Sequence, residues 1–195
     1  MVAISDKVRQ RIVRGRLCPH ERVEVLHPGI AAARIAPGRR PEPYVLIAGR
    51  IMWTKDLRLG LEAFALVRAR LPGWRLVIAG VVDEKSREYA SELMARAEKV
   101  SAVAFRTNPT DHQLPDLYEG CTALLFTAFN EDSGLTPLEA MAAGRAVIAV
   151  NRGGPRESVA DGATGRGPGA GAPGRRSGAR TCPPLHLGGL RGRIR

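Results

Sequence analysis

Between Tyr44 and Thr164, short apolar runs rich in β-branched residues alternate with stretches of helical periodicity, and that alternation leaves few folds open. Parallel strands joined through helices give such a pattern, because each crossover must carry the chain back across the sheet before the next strand begins. Tyr44–Ala48, Arg75–Ala79, Ala102–Phe105, Ala123–Phe126 and Ala146–Val150 read as strands, nearly continuously apolar, as strands covered on both faces are. Leu57, Leu61, Phe64 and Leu71 recur at helical spacing between the first two strands, until Pro72-Gly73 stops the helix. Tyr89, Leu93 and Ala97 repeat the pattern between the second and third. A short helix is predicted after Pro115, and another over Pro137 to Ala143, with proline in its first turn and Gly144 just past its end. The fold class is therefore α/β, a Rossmann-like parallel sheet with flanking helices.

The sheet domain is assigned to residues 44–165. Residues 1–43 hold nine basic and four acidic groups, with Pro28-Gly29, Pro37-Gly38 and Pro41 as breaks, and read as a leading helix followed by an interdomain connector. Residues 166–195 contain eight Gly, four Pro and seven Arg, with no acid and no periodicity. Such a stretch buries too little apolar surface to offset its ordering entropy, so a disordered basic tail is expected. The G-x-G-x-x-G of Gly169, Gly171 and Gly174 within it lacks the strand and helix that give this motif meaning. The formal charge of +11 shrinks on inspection, because the tail supplies +7 of it and residues 1–165 only +4. Aromatic residues make up 5% of the chain and do not interleave with basic ones, so no nucleic-acid partner is expected outside the tail's charge. Cys18, Cys121 and Cys182 are too scattered for a disulfide scaffold, which fits a reducing compartment. No apolar run approaches the roughly 18 to 20 residues of a membrane span. The expectation is a cytoplasmic protein with no integral membrane segment, compatible with peripheral attachment to a membrane.

Open α/β sheets bind ligands beyond the carboxyl ends of their strands, so the residues following each strand carry the functional information. After the first strand, Gly49-Arg50-Ile51-Met52-Trp53-Thr54-Lys55 sets two cations near a helix start, where backbone N–H groups already favour an anion such as a diphosphate. Solvated loop cations are the bland alternative. After the fourth strand, Asn130-Glu131-Asp132-Ser133-Gly134-Leu135-Thr136-Pro137-Leu138-Glu139 is a polar turn opening into a helix. Thr136 to Glu139 has the spacing of a capping box, which would engage Glu139 locally. Glu131 is either an exposed acid or a contact to a sugar oxygen. After the fifth strand, Asn151-Arg152-Gly153-Gly154-Pro155 allows either close backbone approach to a ligand or a tight turn. Together the three loops favour an anionic polyol such as a nucleotide sugar. His20, His27, His112 and His186 are isolated and no Asp-x-Asp is present, so no metal site is expected. There is neither a G-x-S-x-G elbow nor a P-loop lysine motif.

Gly49-Arg50 with Lys55, Glu131 and Glu139 seven residues apart, the run Gly134 to Gly144, and Gly153-Gly154 with Glu157, Asp161-Gly162 and Thr164-Gly165 resemble the family 4 retaining glycosyltransferases of GT-B fold. Over roughly Val2 to Gly165 the chain resembles that family's carboxyl-terminal, donor-binding half, a single GT-B half. The resemblance implies that Arg50 and Lys55 clamp the donor diphosphate as leaving group and that Glu131 contacts the transferred sugar. It places Gly49 and the Gly134, Leu135 and Thr136 backbone beside donor sugar and phosphate, and Glu139 on the ribose hydroxyls. It further implies retaining, metal-independent transfer of a hexose without a cofactor. By the same resemblance the donor is a nucleotide sugar, with Asn130-Glu131-Asp132 and Asn151-Arg152-Gly153-Gly154-Pro155 tilting slightly towards GDP-mannose, and the acceptor is a glycan, lipid or small-molecule hydroxyl. Ser133 departs from the family's usual aromatic residue. The chain is expected to be truncated at both ends, with its acceptor domain absent or on another chain. Residues 166–195 resemble a shifted reading frame. The alternatives are a non-catalytic remnant that at most binds nucleotide sugar, a nucleic-acid-binding tail, and a GT-B epimerase, which fits the Glu131-to-Glu139 segment less well.

Overall fold

The computed structural model describes residues 1–31, 34, 35 and 37–159. The expected disordered tail, 166–195, and the Asp161 to Gly165 part of the family resemblance lie outside these residues. The chain opens with a two-stranded parallel sheet of β1 (Val2–Ala3) and β2 (Glu24–Val25), joined through α1 (Asp6–Arg14). The main sheet follows, with β3 (Tyr44–Ala48), α2 (Leu57–Arg70), β4 (Arg75–Gly80), α3 (Arg87–Val100), β5 (Val103–Thr107), α4 (Gln113–Gly120), β6 (Ala123–Phe126), α5 (Leu135–Ala142) and β7 (Ala146–Ala149). Every strand pair is parallel, in the order β5-β4-β3-β6-β7. The chain starts in the middle, builds outward through β4 and β5, then returns to build the other side through β6 and β7. The strand order thus reverses between β3 and β6, and the carboxyl ends of such a pair of strands are where open α/β sheets form their ligand crevice.

Both faces of the sheet are covered, which is why its strands are continuously apolar. On one face Tyr44, Leu46, Ala48, Leu124 and Phe126 pack with Tyr118, Cys121, Ala140 and Ala143 of the α4 and α5 region. On the other Val45, Ile47, Leu76 and Ile78 pack with Leu57, Leu61 and Phe64 of α2 and with Ala90, Leu93 and Ala97 of α3. The close approach of α2 is possible because Gly60 lies against β3, where a Cβ would stand 2.5 Å from the tip of Ile47. Two expected core positions differ. Leu71 lies past the end of α2 and is 37% exposed, while in α3 Ala90 is buried and Tyr89 is only partly covered. The Tyr89 hydroxyl instead accepts the Leu57 N–H at 3.1 Å and satisfies the start of α2.

Both proline-containing helices begin two residues before their proline rather than at it. Pro115 and Pro137 occupy the third helical position, where the missing N–H removes no intrahelical bond. Gly144 stands just past α5 at φ +72°, as the sequence suggests. Among the described residues no helix is long and apolar enough to cross a membrane.

Candidate functional site

Three loops converge at the switch point between β3 and β6. The first, after β3, begins at Gly49 (φ +132°), whose N–H donates to the Ala79 carbonyl at 3.0 Å. Here β4 crowds β3 so closely that a Cβ on Gly80 would fall 1.6 Å from the Gly49 oxygen. The buried Ile51 is tied to the Val81 carbonyl at 2.9 Å. Arg50 sits between these two fixed residues, exposed, with no hydrogen bond or ion pair from its side chain among the described residues. A short 3-10 turn, Trp53–Lys55, ends the loop, and the Lys55 carbonyl accepts from the hydroxyl of the buried Thr127 at 2.7 Å. Thr127 is the residue after β6, so one hydroxyl stitches the first loop to the second.

The second loop, residues 127–134, carries Glu131. Its carboxylate oxygen Oε2 pairs with Lys55 Nζ, and the two side chains are only 25% and 22% exposed. Screening is correspondingly weak at this contact. Lys55 and Glu131, assigned to different loops in the sequence, therefore meet directly across the crevice. Beside them Trp53 and Phe129 face each other with ring centroids 6.1 Å apart, the rings remaining 64% and 39% exposed.

The third loop, after β7, is folded against the second. Gly154 N–H donates to the Glu131 carbonyl at 2.9 Å. A Cβ on Gly153 (φ +73°) would stand 2.6 Å from the same oxygen, and one on Gly154 2.3 Å from the Asp132 oxygen. Of the two sequence readings of the paired glycines, the structure supplies a third partner: they admit the backbone of the neighbouring loop. Gly134, at φ +80°, starts α5 and packs on Pro155, where a Cβ would meet the proline ring at 2.8 Å.

The capping box expected at Thr136 to Glu139 is absent. Helix α5 begins at Leu135, which puts Thr136 inside the first turn, where its backbone can no longer play the cap. Its Oγ1 is buried without a hydrogen-bond partner among the described residues. Glu139 is bound elsewhere, accepting from the hydroxyl of the fully buried Tyr118 at 2.5 Å. Burial, reinforced by the Glu139 charge, pushes the Tyr118 phenol far above its ordinary range, so it stays a donor. A reciprocal box does occur one helix earlier: Gln113 N–H donates to Thr110 Oγ1 at 3.3 Å and Thr110 N–H to Gln113 Oε1 at 3.0 Å.

Residues that the loop-by-loop reading of the chemistry missed come from α1. Lys7 and Arg11 reach the second loop, and Glu157, until now only part of a motif, accepts the N–H groups of Asp6 at 2.8 Å and Lys7 at 3.2 Å. No local signal could reveal Lys7, which is separated from Asn130 by 123 residues. Among the described residues no group of three or more His, Cys, Asp or Glu side chains gathers where an ion could be held.

Comparison with known proteins decides the lineage. Residues 32–166 match the family described as Glycosyl transferases group 1. The chain belongs to this family. It is 37% identical over 122 residues to human alpha-1,3/1,6-mannosyltransferase ALG2, covering 57% of this chain and 29% of that protein. It is 31% identical over 184 residues to the D-inositol 3-phosphate glycosyltransferase of Streptomyces avermitilis, covering 85% and 40% respectively. The chain thus spans less than half the length of these curated relatives. In fold it is similar to Anabaena Alr3699/HepE, solved with UDP and glucose (TM-score 0.73, 21% identity, 83% of this chain and 46% of that one). It is also similar to the C-terminal domain of the group 1 protein LpcC from Francisella tularensis (TM-score 0.61, 23% identity, 68% and 76%). The group 1 chain is accordingly a Rossmann-like half of the GT-B fold.

Proposed function

We propose that this chain is the donor-binding half of a glycosyltransferase that moves a hexose from a nucleoside-diphosphate sugar to a hydroxyl. The observation that carries the reading is the meeting of Lys55 and Glu131 at the strand-order reversal, with the unpaired Arg50 on the same loop as Lys55. A cation beside a carboxylate suits a ligand that is anionic at one end and rich in hydroxyls at the other. Arg50 and Lys55 stabilise the charge that develops on the departing diphosphate, an electrostatic contribution that needs no bound metal or cofactor. Glu131 accepts from hydroxyls of the transferred sugar. Gly49 and the Gly134, Leu135 and Thr136 backbone border the phosphate and sugar, and Glu139 accepts from the ribose. Transfer proceeds with retention, as the family resemblance implies, and the acceptor is a glycan, lipid or small molecule presented by a second half. The mannosyltransferase name of the human relative supports GDP-mannose as donor. Cytoplasmic action, at a membrane surface where the acceptor is a lipid, accords with the same reading.

Calorimetric titration of the full chain with GDP, UDP, ADP and their hexose conjugates tests it. One nucleotide family binds saturably. Arg50→Ala, which removes no hydrogen bond or ion pair among the described residues, and Glu139→Ala each weaken binding by about ten-fold, the worth of one hydrogen bond to a charged group. A folded chain that binds none of these compounds, or whose affinity ignores both substitutions, refutes the donor site.

A further inference from the structure

One group that fixes Glu131 lies far from its loop in the sequence and outside the sheet. Lys7 Nζ lies 2.8 Å from Asn130 Oδ1, 3.0 Å from the Glu131 carbonyl and 3.2 Å from Asp132 Oδ1. Two of the ammonium's three donors are thus spent on hydrogen bonds to neighbouring residues of one loop, and the Asp132 carboxylate pairs with its charge. The Glu131 carbonyl also accepts the Gly154 N–H at 2.9 Å, which occupies both of its lone pairs. The backbone of Glu131 is therefore held from two elements, and its carboxylate swings from a fixed base.

Lys7 is itself placed with care. Ser5, 1% exposed, caps α1 by accepting the Val8 N–H at 3.2 Å. The Glu157 carboxylate takes the Asp6 and Lys7 N–H groups, satisfying the remaining donors of that first turn. Residues of α1, the second loop and the turn after β7 thus close a ring of hydrogen bonds around Glu131. Arg11 reaches the same loop, where its guanidinium pairs with Asp132 at 2.7 Å. The ring has the geometry of a positioning device.

We infer that Lys7, seated by Glu157, is the positioning residue that aims Glu131 at the donor's sugar, so that the leading helix sets how well the site distinguishes a nucleotide sugar from the bare nucleoside diphosphate. The inference rests on the donor-site reading of Arg50, Lys55 and Glu131. Arg50, the member of the phosphate clamp that is not paired with Glu131, lies on a different loop, so loss of Lys7 disturbs the sugar contact and leaves the Arg50 contact to the phosphate in place.

The test uses the full chain and compares affinities for the nucleoside diphosphate and its hexose conjugate. Lys7→Met lowers affinity for the conjugate about ten-fold, as one misaimed hydrogen bond to a charged group should. Affinity for the diphosphate stays within two-fold. Lys7→Arg restores at least half of the lost discrimination, and Arg11→Met retains it. Should Lys7→Met not fold, Lys7→Gln, too short to reach the Glu131 carbonyl, gives the same readout. Unchanged discrimination in the folded variant overturns the inference while the donor site stands, as does equal loss of both affinities or an equal effect of Arg11→Met. A wild-type chain that binds neither compound overturns the donor site and the role of Lys7 with it.

Discussion

Glu139 is already engaged in the folded chain, because the Tyr118 hydroxyl donates to it at 2.5 Å from a position 1% exposed. A phenol held neutral by burial is a dependable donor to a carboxylate, and it fixes the rotamer of a side chain proposed to meet two ribose hydroxyls. Tyr118→Phe keeps the buried ring and removes only that bond. The expected loss is about 1.5 to 3 kcal/mol, the range for hydrogen bonds to charged groups, seen as a fall in Tm of roughly 3 to 12 °C for a chain of this size. If the phenol also orients Glu139, affinity for the nucleoside diphosphate falls with it, and an unchanged affinity would leave Tyr118 a structural role alone. The Glu139 to Tyr118 bond was not legible in the sequence for a physical reason. Thr136 to Glu139 has the spacing of a cap, but spacing does not say which residue caps the helix, and Gly134 with its left-handed backbone takes that place.

At the scale of elements, the loop after β7 and the loop after β6 act as one body because Gly153 and Gly154 carry no side chains. Gly154→Ala would drive a Cβ to 2.3 Å from the Asp132 oxygen, a backbone atom that cannot rotate away. Overpacking of this kind costs roughly 1 to 3 kcal/mol, and relief requires the loops to separate, which pulls Gly154 N–H from the Glu131 carbonyl. The variant should therefore melt lower and also lose sugar discrimination, whereas stability and discrimination at wild-type levels would show the contact to be dispensable. Interior strands were easier to read than edges. Tyr44–Ala48 and Ala123–Phe126 are found as expected, since burial on both faces writes itself into every residue. On the edge, β5 begins later than expected because Ser101 and Ala102 both have positive φ, and it runs on through Arg106 and Thr107. Those two polar residues are exposed, and their pairing with Ala79 and Gly80 belongs to the backbone alone. The two-residue strands β1 and β2 leave no periodicity to detect, and the clamp by Lys7 depends on contacts that only the folded chain brings together.

For the molecule as a whole, the two faces of the sheet differ in kind. The buried core of the face covered by α2 and α3 consists of aliphatic residues and Phe64, with Trp74, Tyr89 and Phe105 partly buried at its margin, whereas the face covered by α4 and α5 includes Tyr44, Tyr118 and Cys121 in its core. Burial pushes the Tyr44 hydroxyl and the Cys121 thiol each up to about 12, and the Tyr118 phenol higher still. Tyr44 also donates to the Leu117 carbonyl at 2.7 Å, so its proton is part of the joint between β3 and α4. In each case the folded chain keeps a proton that the unfolded chain releases near pH 9 to 10, so the native state binds more protons above that point and stability falls as pH rises. Stability from these groups is fully present below about pH 9 and is lost progressively towards pH 12. Denaturant midpoints measured from pH 7 to pH 11 should fall with increasing slope above pH 9. Tyr44→Phe and Cys121→Ala each lower the neutral-pH midpoint but flatten that slope, because each deletes one of the protons that differ between the states. A midpoint that stays level to pH 11, or a slope indifferent to both substitutions, would mean that this face opens to solvent before its acids titrate.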